Sequence, residues 1–286
     1  MTAAEESVRA GRIDEALADL QTQVKKAPAD PRLRVFLFQL LAVKGQWERA
    51  ATQLEVAGEL DAGTMEMVRA YRAVLPCERL RASIFAGEKT PLVFGEPAAW
   101  MALLVEAAQL TAKGKFLEAK ALRDQAFEDA PATSGSLIAR REGGKGEGGK
   151  GEDESAGEER PFSWIADADG RLGPMLEGII NGRYYWIPFS RIRELTFEAP
   201  ADLRDVAWTP ALLTFANGGE TVAFVPTRYP GSESSPDPTI VTARSTTWDE
   251  RAGDTFLGLG QRIFATDGGE HALMDVRRIR LDAPAA

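Results

Sequence analysis

Two hydrophobic periods divide the chain. Through roughly its first half, apolar residues recur three and four positions apart, the spacing of a helix face. Leu33-Arg-Val35-Phe36-Leu37-Phe38-Gln-Leu40-Leu41 and Trp100-Met101-Ala-Leu103-Leu104-Val105 are the clearest runs. Their extra apolar positions predict helices packed on two sides. After Leu137 this period vanishes. Arg140 to Arg160 reads RREGGKGEGGKGEDESAGEER, which has almost nothing to bury and predicts a disordered linker. From Pro161 onward, short β-type runs alternate with turn residues. Asn181-Gly182, between Leu176–Ile180 and Tyr184–Ile187, is the strongest hairpin signal. Asn217-Gly218-Gly219 and Asp167-Ala-Asp169-Gly170 read as turns, as does Asp267-Gly268-Gly269. Further strands are expected at Ile192–Phe197, Ala211–Phe215, Thr221–Val225, Ile240–Ala243, Gly258–Phe264 and Leu273–Leu281. Seven or so short strands in about 120 residues predict a small barrel or rolled sheet, packed on the end of the helical array. The expected class is α + β in two domains. Residues 1–138 form a helical repeat, 139–160 a Gly/Lys/Glu linker, and 161–282 a β-barrel-like domain.

The helical half repeats itself. Gly11-Arg-Ile13-Asp-Glu-Ala16 and Gly45-Gln-Trp47-Glu-Arg-Ala50 are the same phrase 34 residues apart, and Leu20 and Leu54 keep the same offset. A third copy begins at Gly114-Lys-Phe116-Leu-Glu-Ala119. The 69 residues from Gly45 to Gly114 leave room for a middle copy starting near Arg79, where no glycine or aromatic residue stands. That copy is degenerate or replaced. The glycine suits a left-handed helix end, the large apolar residue packs the turn, and the alanine lets two helices approach. Pro28 and Pro131, each 17 residues after its glycine, stop the second helix. A 34-residue helix–turn–helix period is that of the tetratricopeptide repeat (TPR), a scaffold for holding other polypeptides.

Charge narrows the partners. The net charge of −9 and pI near 5.0 argue against nucleic acid and anionic membrane, which need a concentrated basic face. The single cysteine, Cys77, excludes an internal disulfide and reads as a small buried hydrophobe, which suits a reducing, cytoplasmic setting. The polar, acidic Met1-Thr-Ala-Ala-Glu-Glu-Ser start is not a signal peptide, and no run of about 18 apolar residues predicts a membrane span.

Candidate chemistry thins out on inspection. His271 is the only histidine, so no two-histidine metal site or conventional triad is expected, and it should lie exposed in a turn. Gly144 to Lys150 spells a phosphate-loop pattern, but Gly151 stands where a hydroxyl should bind magnesium and no strand precedes it. Asp167-Ala-Asp169-Gly170 fails as a calcium loop, because Ile165 and Leu176 fall on ligand positions. Gly258-Leu-Gly260 lacks the third glycine of a dinucleotide fingerprint, since Ile263 stands there. No catalytic, metal or cofactor residue is assigned. Aromatic and basic residues of the β half remain as candidates for partner binding: Trp164, Arg183, Tyr184, Trp186, Arg228 and Tyr229. The competing reading places Tyr184 and Trp186 in the barrel core. It leaves Arg183, Arg228 and Arg244 paired with Asp202, Asp205, Glu233 or Asp249.

A family pattern runs from about residue 5 to 282. Its phrases are Pro91-Leu-Val-Phe-Gly95-Glu-Pro97-Ala-Ala-Trp100, Trp164-Ile-Ala-Asp167-Ala-Asp169-Gly-Arg171-Leu172-Gly173-Pro174 and Asn181-Gly182-Arg183-Tyr184-Tyr-Trp186-Ile-Pro188-Phe189. Leu203-Arg204-Asp205-Val-Ala-Trp208, Arg228-Tyr-Pro230-Gly231-Ser232-Glu233 and Gly258-Leu-Gly260-Gln261-Arg262 continue it. In this order they resemble the ImpE/TagJ family, accessory proteins of the bacterial type VI secretion system. The Gly/Lys/Glu linker is an insertion relative to that pattern. The resemblance implies a TPR-like α-α superhelix followed by a mostly-β, SH3-like, partly open barrel, with no enzymatic activity. It also implies binding to the N-terminal helix of the small contractile-sheath subunit, TssB. Through that contact it implies an influence on sheath assembly or on recycling by the ATPase ClpV. The alternative is a TPR-type scaffold for another cytosolic complex.

Overall fold

The computed structural model describes residues 3–140 and 157–282. Its helical half runs α1 (Ala3–Arg9), α2 (Ile13–Lys26), α3 (Pro31–Val43), α4 (Trp47–Leu60), α5 (Met65–Phe85), α6 (Ala99–Ala112) and α7 (Phe116–Asp129). The repeat phrase marks the turns. Gly11, Gly45 and Gly114 sit at φ +77, +66 and +73, where a side chain would be strained, and each joins two antiparallel helices. Asp30 caps α3 by accepting from the Arg32 N–H, and Pro31 supplies a preset φ at its first turn. The missing middle copy is one long helix. α5 carries Pro76 in its interior and ends at Gly87, φ +74, instead of turning near Arg79. Its residues Tyr71, Val74, Glu78, Arg81 and Phe85 fall at spacings of three and four, a stripe that meets the sheet, with Tyr71 also packing edge-on against Phe38 of α3.

The strands are β1 (Leu92–Val93), β2 (Gly135–Ala139), β3 (Arg160–Phe162), β4 (Ile165–Asp167), β5 (Met175–Ile180), β6 (Arg183–Pro188) and β7 (Ile192–Phe197). They continue as β8 (Trp208–Phe215), β9 (Glu220–Pro226), β10 (Thr246–Arg251), β11 (Thr255–Gly260), β12 (Ile263–Thr266), β13 (Gly269–Ala272) and β14 (Val276–Leu281). Where the sequence pointed to a small, partly open SH3-like barrel, nine strands pair in the open order β1-β6-β5-β9-β8-β7-β14-β2-β3. The end strands β1 and β3 are not paired with one another. Smaller sheets β13-β12-β4 and β10-β11 complete this half. Asn181 and Gly182, at φ +50 and +72, close the β5–β6 hairpin.

Several boundaries move. β1 and β2 come from the expected helical region, and β2 pairs with β3 and β14, so the sheet takes in residues before 138. Residues 141–156, most of the expected linker, lie outside the described residues. Ile240–Ala243 is not a strand. Asp237 caps and Pro238 opens the short helix α8 (Pro238–Val241). Asp167 to Gly170 does not form a hairpin turn, because β4 pairs with β12 and not with β5.

The large sheet has a core on each face. Leu176, Ile180, Ile187, Leu195, Leu213 and Val225 fill the face turned away from the helices. Met175, Ile179, Tyr184, Trp186 and Trp208 on the other face join one core with Leu40, Tyr71 and Leu104 of the helices. The sheet therefore packs along α5 and not on the end of the solenoid. Tyr184 and Trp186 point out of the sheet's own core and into the helices.

Candidate functional site

A buried ionic cluster lies where α5 meets the sheet. Glu177 is a lone acid in the apolar strand β5 and is fully buried. Its Oε1 is 2.6 Å from Arg81 Nε, and its Oε2 is 3.1 Å from Arg81 Nη2. Arg262 Nη2 also donates to Oε2. Tyr184 donates its hydroxyl to Oε1 while accepting from the Trp186 indole N–H at 2.8 Å. Arg262 Nη1 reaches Asp167, whose Oδ1 accepts from the Tyr229 hydroxyl at 3.0 Å. Asp169 takes Arg171 Nε at 2.9 Å and the Gly258 N–H at 2.9 Å. Glu78 accepts from the Trp208 indole at 2.7 Å and pairs with Arg81 at 3.4 Å.

Four guanidinium groups (Arg81, Arg171, Arg228, Arg262) thus sit among four carboxylates (Glu78, Asp167, Asp169, Glu177). Arg228 is the exception within the cluster. Among the described residues it makes no carboxylate pair, and it donates from Nη1 to the carbonyls of Val43 and Val241, the last residues of α3 and α8. Helix C-termini carry partial negative charge, which suits a buried cation.

Burial and pairing pull the titrations apart. Burial pushes the Glu177 carboxyl up, but Arg81 and Arg262 outweigh it and hold it near 2. Asp167 is raised to about 6, because its burial exceeds the help from Arg262. Burial also raises Glu78 and lowers Arg228 to about 10. Such shifts accompany catalytic sites and structural ion-pair networks alike. Here the groups other than Arg228 are bonded to one another, the geometry of a fastening, and a cavity of about 300 Å³ lies beside Glu78, Arg81 and Arg171.

The six residues predicted to bind a partner divide. Tyr184, Trp186, Arg228 and Tyr229 are at most 4% exposed and belong to the cluster or to the core around it. Arg183 is exposed at the β5–β6 turn, and Trp164 is 40% exposed beside Phe127. Arg244 donates to the Arg9 carbonyl at 3.0 Å and pairs with no acid among the described residues. His271 is half-buried, with Nε2 3.2 Å from Thr266 Oγ1, and not fully exposed. Cys77 is buried with its Sγ 3.4 Å from the Gly182 carbonyl, and burial, then Glu78, raises its thiol to about 11. Sequence reasoning missed Glu177, Arg81 and Arg262. The available signal was a single acid at the centre of Met-Leu-Glu-Gly-Ile-Ile, where a charge needs a partner.

A separate groove lies elsewhere. α1, α3, Asp61, Thr64 and residues 201–203 enclose about 960 Å³. Among the described residues, no group of three or more His, Cys, Asp or Glu could hold a metal, and no helix is long and apolar enough to cross a membrane.

Comparison with known proteins places this architecture. The family model described as ImpE protein matches residues 159–280, and a tetratricopeptide repeat model matches residues 7–75. The type VI secretion system accessory component TagJ of Pseudomonas aeruginosa is 49% identical over 276 residues, covering 96% of this chain and 90% of that protein. The crystal structure of protein VPA1032 from Vibrio parahaemolyticus covers 98% of both chains at a TM-score of 0.82. At 22% identity it speaks for the fold alone. With the relative's identity sustained across nearly the whole length, the chain belongs to the ImpE/TagJ family.

Proposed function

We propose that this protein is a non-catalytic, cytoplasmic adaptor of the type VI secretion system. It binds the N-terminal helix of the small sheath subunit, TssB, and thereby modulates sheath assembly or its recycling by ClpV. The family relation supports an accessory role in that system. The observation that carries the adaptor reading is the state of the charged cluster. Apart from Arg228, which holds two helix ends, its charged groups are bonded to one another, so its visible work is to fix the sheet on the helices. What such a body offers other molecules is shape and surface, and TPR-like hairpins are suited to holding a helix.

Co-purification tests this reading. The protein should retain the small sheath subunit on a column and lose it when that subunit's N-terminal helix is deleted. Retention unchanged by the deletion would refute the proposed mode.

A further inference from the structure

We propose that the cavity beside the buried cluster is a binding site for an alkylguanidinium group, the head of an arginine side chain. The site goes beyond the adaptor reading and does not depend on it. The cavity encloses about 300 Å³ between α4, α5 and the loops after β4 and β9. That is the share of about ten waters, more than a bridging water needs and the lower end of small-ligand pockets. Glu78 and Arg81 form one wall, each with its side chain 6% exposed. Trp47, Phe85, Arg171 and Glu233 stand around them.

The sign of the missing charge follows from how the cations are spent. Arg81 gives Nε and Nη2 to Glu177, and Arg171 gives Nε and Nη2 to Asp169, so each guanidinium already has a carboxylate of its own outside the cavity. Arg262 is held by Asp167 and Glu177. The two carboxylates that line the cavity are the ones left over. Glu78 Oε1 accepts from Trp208, but its buried Oε2 has only Arg81 Nη1 at 3.4 Å, beyond the roughly 2.7–3.2 Å of an ordinary bond. Glu233 makes no hydrogen bond or ion pair among the described residues. Arg228 is the fourth cation of the cluster and Glu233 adds a fifth carboxylate, which leaves the surroundings of the cavity one positive charge short. Burial raises the Glu78 carboxyl and Glu233 adds to the rise, so a cation between the two would favour its charged form. An anion would meet two carboxylates, and two guanidinium groups already neutralised from behind.

The aromatic walls select the kind of cation. Phe85 already carries the Arg171 guanidinium 4.9 Å from its ring centre. Trp47 is half-buried and has no cation over its ring among the described residues. An indole face is the strongest aromatic partner for a cation. A guanidinium is planar, so it stacks on that face while its fork of N–H donors reaches carboxylates on separate walls. An ammonium is a compact, strongly hydrated point charge and does the first of these less well.

The test titrates the full chain with n-propylguanidinium, the arginine side chain without its backbone, and follows the Trp47 indole N–H resonance, assigned with Trp47→Phe. A saturable shift in the millimolar range is expected. n-Butylammonium, the lysine counterpart, should bind about fivefold more weakly, and propionate should not bind. Glu233→Gln keeps the shape and breaks no internal bond, so it should weaken binding about tenfold at an unchanged melting temperature. Glu78→Gln should weaken it as much, and Glu233→Gln decides the matter if loss of the Trp208 bond unfolds that variant. No saturable shift would leave the cavity to water and overturn the proposal. Propionate binding in place of propylguanidinium would give the cavity to its arginines and also overturn it, as would parent-like affinity in Glu233→Gln. Two sources carry this head group, and competition separates them. Displacement of a bound peptide of the sheath subunit's N-terminal helix by propylguanidinium would assign the site to a partner's arginine. Binding of propylguanidinium without displacement would assign it to a free small molecule. A peptide that fails to bind at all would sink the adaptor mode and leave this site standing.

Discussion

Arg228 Nη1 donates to the carbonyl of Val43 at 2.9 Å, joining the loop after β9 to the end of α3 across 185 residues of chain. The same nitrogen serves Val241 at the end of α8. One cation therefore fastens two helix termini in a place from which water is excluded. Burial lowers the arginine to about 10, so it remains charged at neutral pH.

Arg228→Met keeps the stem and removes the donors. Two charge-assisted bonds are lost, each about 1.5–3 kcal/mol, while the cost of burying a cation disappears. The expected net loss is about 2 kcal/mol, read from the urea midpoint at pH 7. An unchanged midpoint would show that desolvation cancels both bonds.

Glu177 serves two arginines at once. Glu177→Gln leaves Arg81 and Arg262 short of a shared counter-charge in a buried site, and about 3–5 kcal/mol should be lost. Adding Arg81→Met should recover part of that loss, because the two changes touch one network. Strict additivity in the double-mutant cycle would contradict the coupling that the geometry shows.

The pH response has two limbs. Glu177 is held near 2 against an ordinary value of 4.5, so its contribution is present above about pH 4.5 and lost as pH falls towards 2. Asp167 is raised to about 6 from 3.8, so it binds its proton more tightly when folded and gives its stabilisation at low pH. That stabilisation is lost as pH rises from about 3.8 through 6. Urea midpoints from pH 7 to 3 should show less acid loss in Glu177→Gln. In Asp167→Asn the component between pH 6 and 4 should vanish. Parallel profiles for parent and variants would refute both assignments.

Local features were readable in the sequence and long-range ones were not. Asn181-Gly182 specifies two successive positive φ values, so its hairpin follows from two residues. Gly11, Gly45 and Gly114 similarly announce their helix ends. Ile240 and Val241 look like strand, yet Asp237-Pro238 carries the cap and first-turn signal that made α8. β1 pairs with β6 more than 90 residues away, and β2 lies between β3 and the still more distant β14, which no local period records. Alternation placed Tyr184 and Trp186 on one face of β6. It could not say that this face meets α5, because both faces of the sheet are covered. The partner-binding candidates were chosen by residue type, and the same aromatic and basic side chains also build buried networks.

Gly258 shows how closely the cluster is packed. Its φ lies outside the left-handed range, so any residue fits its backbone, yet a Cβ there would stand 2.4 Å from Cδ2 of Tyr229. The ring cannot retreat without moving its hydroxyl from Asp167, and the Gly258 N–H is itself bound to Asp169. Gly258→Ala should therefore cost about 1–3 kcal/mol by overpacking alone. Tyr229→Leu should relieve the clash, so the double variant should lose less than the sum of the single changes. Gly218→Ala is the contrast. It has open space around it but φ +85, so backbone strain sets its cost at about 1 kcal/mol, and Tyr229→Leu should not alter that value. Thermal melts of the five variants would separate the two mechanisms, and equal coupling of both glycines to Tyr229 would defeat the steric account.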